Sequence, residues 1–261
     1  MMYRETIKTM STSARNKLNF YEDSHMKFFV SSMLAGAYIG VGCIVLFFMG
    51  GPLFAVDSPF VNLITGITFG VALAIVIWAG SDLFTGNVMT FAFGALTKTI
   101  TWKQTTILLI WCYIGNLVGA LAFSYFVYLS GIFPEINVDS YTVYSAAGKM
   151  SDGFIPLLFQ GIMCNWLVCL AVWTSTRAEN EMVKLALIFV LIFAFVAVGF
   201  EHSIANMAIM AIALLHSSVE TVTVSGFIYN LIPVTIGNII GGGFFVACIY
   251  YYLNGGYKEK I

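Results

Sequence analysis

Six long apolar windows dominate the chain, at about residues 28–50, 61–97, 104–131, 153–176, 182–215 and 225–253. Each can cross the roughly 30 Å hydrocarbon core of a bilayer, which takes about 20 apolar residues in a helix. No water reaches backbone N–H and C=O groups there, so a spanning segment must satisfy them internally. Continuous apolar runs of this length specify helices. The second and fifth windows are too long for one simple crossing and carry polar residues mid-window, so each is read as a broken span. Composition agrees: 59% of residues are hydrophobic and 10% charged, against about 25% charged in soluble domains. With a net charge of −1, no basic face suggests nucleic acid.

Cation placement gives the expected orientation. Arg4, Lys8, Arg15, Lys17 and Lys27 precede the first span, Lys98 and Lys103 follow the second, Arg177 and Lys184 follow the fourth, and Lys258 and Lys260 follow the sixth. Eleven of the twelve cations thus share one side, and only Lys149 lies opposite. Positive residues stay cytoplasmic, so both termini are expected inside. Residues 1–27 lack a signal peptide's apolar core and cleavage site. Their helically spaced Ile7, Met10, Ala14 and Leu18 suggest an amphipathic helix on the membrane surface. The expected organisation is this N-terminal segment, a channel domain over 28–253 and a cytoplasmic tail over 254–261.

The two halves, about 28–131 and 153–253, resemble each other. Gly80, Asp82 and Asn87 each recur 119 positions later as Gly199, Glu201 and Asn206. Gly115-Asn116-x-x-Gly119 recurs 122 positions later as Gly237-Asn238-x-x-Gly241. Three spans per half make the repeat inverted, and paired broken helices in such repeats place a permeation site near the midplane. The second half of each broken helix is expected to start near Gly86 and Ser203. Its unpaired N–H groups favour anions, and Thr85, Ser203, Asn87 and Asn206 add hydrogen-bonding groups.

Asp82 and Glu201 pull the other way, because intramembrane carboxylates often mark cation or proton paths. The structural reading is preferred, in which each accepts from loose N–H groups of its own broken loop. His202 sits in the second break, and an imidazole with a pKa of about 6.5 can donate a hydrogen bond or proton to a weakly basic anion. His25 and His216 lie near span ends and receive no role. The five cysteines lie in apolar stretches without a CxxC pair, so they read as buried thiols rather than disulfides or metal ligands.

These residues carry a family resemblance. Gly199-Phe-Glu-His-Ser-Ile-Ala-Asn-Met207, Asn165-Trp-Leu-Val-Cys-Leu-Ala-Val-Trp173, Leu231-Ile-Pro-Val-Thr-Ile-Gly-Asn-Ile-Ile-Gly-Gly-Gly243 and Leu83-Phe-Thr-Gly-Asn87 resemble the signatures of the formate/nitrite transporter family, with the hydrosulfide-channel branch the nearest match. Asp82 stands where formate and nitrite members commonly carry Glu. The resemblance implies an all-α integral membrane protein of six helices with an aquaporin-like protomer, assembled as a homopentamer in the bacterial inner membrane. By position it places His202 at the pore centre with Thr85 opposite. Phe69, Leu73, Leu83, Phe84 and Phe195 match its apolar collars, for which ordinary helix packing is the competing reading. Asn165 and Asn238 match polar positions on spans four and six that support the pore or its loops, Lys149 the outer-vestibule lysine, and Lys17 is assigned to the cytoplasmic mouth.

The function read from this pattern is a channel for small monovalent anions, hydrosulfide first, with formate, nitrite and chloride also permeant and no cofactor required. Lysines at the mouths would concentrate anions within a screening length of about 8 Å. The collars would strip hydration, which is costly for charge in a low dielectric. A proton-coupled formate or nitrite transporter is the alternative. A neutral-solute pore lacks its twin Asn-Pro-Ala signature here, where Asn87-Val-Met and Asn206-Met-Ala stand at the loops. An enzyme lacks a metal-ligand spacing, nucleophile elbow or nucleotide loop.

Overall fold

The computed structural model describes residues 3–133 and 138–256. Most of the expected tail, including Lys258 and Lys260, lies outside the described residues. Among the described residues, six helical spans are long and apolar enough to cross a membrane. They are α2 (His25–Phe54), α3 (Val61–Trp78), α5 (Trp102–Ser130), α7 (Phe154–Arg177), α8 (Glu181–Val198) and the last span (Val224–Leu253). The last span comprises α10 (Val224–Ile239), a π-helical stretch (Ile240–Cys248) and α11 (Ile249–Leu253).

Both expected breaks are present. Helix α3 stops at Trp78 and α4 (Phe84–Leu96) resumes after a short non-helical segment; α8 stops at Val198 and α9 (Ser203–His216) resumes after another. At each break the chain leaves the helix through a glycine with positive φ, 74° at Gly80 and 86° at Gly199. A Cβ is disfavoured in that region, which is why both repeats carry glycine there. Helix α4 begins at Phe84 rather than near Gly86, so both half-helices start at equivalent repeat positions.

The repeat motif Gly-Asn-x-x-Gly sets the helix crossings. A Cβ on Gly119 would strike the backbone of Met33 on α2, and one on Gly36 the carbonyl of Asn116 on α5. On the other side, a Cβ on Gly237 would strike the carbonyl of Leu158 and one on Gly241 that of Ile162, both on α7. Small residues four apart let membrane helices meet backbone to backbone, where packing and polar contacts replace the hydrophobic drive available in water.

Two elements differ from the sequence expectation. Helix α1 (Arg4–Asp23) does not present its apolar stripe to lipid. Ile7, Met10, Ala14 and Leu18 are all buried, with Ile7 and Met10 against Met89, Phe93 and Trp173. A stripe of this width fits protein as well as membrane, and here α4 covers much of it. Ser24 separates α1 from α2, its hydroxyl accepting from the Lys27 N–H at 3.3 Å as an N-cap. The second element is α6 (Tyr141–Ser151), between α5 and α7, where only a connection was expected. Val143, Ala146, Ala147 and Met150 give it an apolar face at helical spacing, and α6 packs against α9, α10 and α2.

The crossings make a direct stability prediction. Gly119→Ala or Gly241→Ala should destabilise the detergent-solubilised protein by about 1–3 kcal/mol, the usual cost of overpacking. Gly51→Ala, where the added Cβ meets nothing within 4 Å, should leave thermal unfolding unchanged or slightly later. Equal midpoints for all three variants would contradict the crossing argument.

Candidate functional site

The two loop ends are held by one asparagine each. Asn116 Oδ1 accepts from the Phe84 N–H at 2.8 Å, while its Nδ2 donates to the carbonyls of Ser32 (2.7 Å) and Asp82 (2.9 Å). Asn238 Oδ1 accepts from the Ser203 N–H at 2.9 Å, while its Nδ2 donates to the carbonyls of Gly161 (2.8 Å) and Glu201 (3.0 Å). Both sets of partners stand at equivalent repeat positions on the loops. Asn238 therefore clamps a loop, and Asn116, which the sequence reading placed in the repeat without a function, does the same work. Its signal was its match to Asn238.

The carboxylates take other partners than expected. Asp82 accepts from Lys17 Nζ at 2.5 Å, Ser31 Oγ at 2.7 Å and Asn87 Nδ2 at 3.2 Å. Glu201 accepts from Lys149 Nζ at 2.6 Å, Asn206 Nδ2, and Asn230 Nδ2 at 3.4 Å. The loop N–H groups are thus not capped by Asp82 and Glu201; amide side chains cap them and leave each acid for a lysine. The two lysines reach in from α1 and α6, 65 and 52 residues away. Contrary to the sequence expectation, neither presents a free ammonium at a mouth. Asn230 was missed by sequence reasoning. Its amide also donates to the Lys149 carbonyl at 2.8 Å, so it fixes the lysine's backbone as well as its partner acid.

Thr85 and His202 meet between the two breaks. Thr85 Oγ1 lies 3.0 Å from His202 Nε2, and both residues are buried. His202 Nδ1 accepts from the Ala205 N–H at 3.1 Å, capping α9. An acceptor nitrogen carries no proton, so the neutral imidazole holds its proton on Nε2 and donates it to Thr85. The Thr85 hydroxyl keeps its own proton for another acceptor. Among the described residues, the N–H groups of Thr85, Gly86 and Ile204 at the two half-helix ends find no protein acceptor.

Two cavities approach this pair, one reaching His202 and the other reaching Leu83 and Gly86 beside Thr85, which itself lines neither. One, of about 1390 Å³, is lined by Phe69, Phe195, His202, Lys149 and Glu201, and the Phe195 ring stacks on His202 with centroids 5.9 Å apart. The other, of about 900 Å³, is lined by Leu73, Leu83, Lys17, Asp82 and Asn87. Four expected collar residues thus flank the pair, Phe69 and Phe195 on one side and Leu73 and Leu83 on the other. Phe84 lays its ring against Tyr113 at 5.0 Å and, like Thr85, lines neither cavity. Asn165 also stands behind the loops, donating to the carbonyls of Thr85 (3.1 Å) and Asn238 (2.6 Å). Asp57, Asp139 and Asp152 line the larger cavity, where Lys149 is already paired. Among the described residues, no group of three His, Cys, Asp or Glu side chains could hold a metal ion.

The family model of formate/nitrite transporters matches residues 4–252. The nitrite transporter NirC of Escherichia coli (strain K12) is 38% identical over 252 residues, covering 96% of this chain and 92% of that protein. Among solved structures, an FNT family ion channel superposes with a TM-score of 0.91 at 35% identity, covering 95% of this chain and 98% of that one. A pentameric formate channel with formate bound superposes with a TM-score of 0.75 at 28% identity, covering 88% and 97%. With six apolar spans, two broken helices and a match over nearly its whole length, the chain belongs to the formate/nitrite transporter family of multi-pass membrane proteins.

Proposed function

We propose that this chain is a channel for small monovalent anions, with hydrosulfide the preferred species and formate, nitrite and chloride also permeant. The observation that carries the reading is the buried Thr85–His202 pair at two half-helix ends, with His202 lining one cavity and Leu83 and Gly86, beside Thr85, lining the other. An anion reaching the pair is offered the Thr85 hydroxyl and, on displacing Thr85, the His202 Nε2–H. Free N–H groups at the half-helix ends add partial positive charge. With both lysines matched to carboxylates, no full charge is present to trap the ion, which suits conduction. Phe69, Phe195, Leu73 and Leu83 form the apolar collars that strip water.

The hydrosulfide preference rests on the motif likeness to that branch, with Asp82 in place of Glu. In this reading the α1 face is cytoplasmic, since cations gather there. Residues 28–253 are the channel body, and the chain works as a pentamer. His202 donates to the anion and, at low pH, protonates it, so release as the neutral acid resembles proton cotransport.

Flux into proteoliposomes at fixed pH tests the substrate. Hydrosulfide should pass fastest, with formate, nitrite and chloride slower. A strong preference for formate or nitrite would overturn the hydrosulfide assignment and leave the channel mechanism in place. His202→Asn should abolish the pH dependence of flux, and an unchanged pH profile would remove His202 from the mechanism. The acidic wall of the larger cavity makes a further prediction. Asp57→Asn, Asp139→Asn and Asp152→Asn together should raise anion uptake from that face several-fold at low salt. The gain should disappear near 1 M salt, where screening acts over about 3 Å.

A further inference from the structure

The π-helical stretch of the last span lies against the first half-helix, α4, and against α7, and has no part in the function proposed above. Extended π-helical backbone is uncommon and concentrates at functional sites. Here it spans Ile240–Cys248, and Gly242 within it faces two side chains of α7. A Cβ on Gly242 would lie 2.7 Å from Cys169 Sγ, 2.8 Å from Asn165 Nδ2 and 3.2 Å from Val88. Cys169 and Asn165 are one helical turn apart, and both donate to the same acceptor. Cys169 Sγ is 3.4 Å and Asn165 Nδ2 3.1 Å from the Thr85 carbonyl. Cys169, Asn165 and Thr85 are all fully buried.

We infer that Cys169 is a positioning residue for permeation: seated in the space that Gly242 leaves open, it holds the Thr85 carbonyl and thereby aims the Thr85 hydroxyl at the anion path. The inference rests on the reading that Thr85 meets the anion. Thr85 is the second residue of α4, and its side chain meets His202. Asn116 fixes the preceding N–H at Phe84 and the helix sets the Thr85 backbone; the two α7 donors on the Thr85 carbonyl fix how the start of α4 sits against α7. Asn165 divides its amide between Thr85 and Asn238, whereas the Cys169 thiol also lies near Asn165 Oδ1 at 3.6 Å and completes the bracket. A thiol is a weak donor, but it is compact and apolar enough to sit in a membrane interior without an added desolvation cost.

The test compares purified full-length variants in proteoliposomes, normalised to protein that elutes as intact oligomer. Cys169→Ala should lower the hydrosulfide-to-chloride flux ratio about five-fold and flatten its pH profile, while Cys169→Ser, which keeps a donor, should recover most of both. Gly242→Ala should reproduce the Cys169→Ala phenotype. Gly243→Ala, whose added Cβ would lie 3.7 Å from Val88, should not. Thr85→Val, measured alongside, separates the two levels of the argument. If Thr85→Val changes the ratio and pH profile but Cys169→Ala and Gly242→Ala do not, the positioning role is wrong and the Thr85 reading stands. If Thr85→Val also leaves both unchanged, the reading beneath the inference fails. Should Cys169→Ala not assemble, the Gly242→Ala and Gly243→Ala pair decides: equal ratios in those two overturn the inference.

Discussion

An interrupted helix at membrane depth must find its hydrogen bonds in the protein or in a water-lined cavity, because an unmet N–H or C=O in hydrocarbon costs several kcal/mol. The fold meets this demand twice with the same part. Asn116 and Asn238 each cap the first N–H of a half-helix and hold two carbonyls, one on the loop and one on a neighbouring helix. Each amide can do so only because glycines bring its helix into backbone contact with α2 or α7. The close crossing, the clamp and the broken helix are therefore one device, and a side chain at the glycines would disturb all three.

With the loops clamped by neutral amides, the carboxylates are released for charge compensation. Asp82 binds Lys17 and Glu201 binds Lys149, each pair reinforced by an asparagine of the following half-helix. Removing one partner of such a pair leaves a buried charge at a cost of about 3–5 kcal/mol. The pairs also tie α1 and α6, which do not span the membrane, to the two breaks. What remains at the centre is a pair of neutral hydrogen-bonding side chains and the partial charges of the helix ends. In the proposed function, that combination favours an anion weakly enough to let it leave.

Much of this was legible in the sequence, because it depends on local pattern. Apolar run length set the spans, and windows too long for one crossing with polar residues inside them marked the breaks. The partnership of Thr85 with His202 came from motif resemblance. Contacts across long separations were not legible. Lys17 and Lys149 read as anion-attracting charges at the mouths because no local pattern names their acids. The stripe of α1 is identical whether it meets lipid or α4. Phe84 belongs to the same apolar motif as Leu83, and only the helix rotation, set by the Asn116 clamp, turns it towards Tyr113. The helical spacing in α6 was present at Val143, Ala146, Ala147 and Met150, but a short helix between two spans leaves little hydropathy contrast.

The central claim is that neutral donors and helix ends, with the lysines and carboxylates beside the two breaks paired to one another, select anions over cations. The reversal potential across a planar bilayer, under a gradient of potassium formate or potassium hydrosulfide at equal pH on both sides, tests this most directly. The account predicts a potential at the anion's equilibrium value, with potassium contributing little. A potential that follows potassium would contradict it, and would return Asp82 and Glu201 to the role of a cation path.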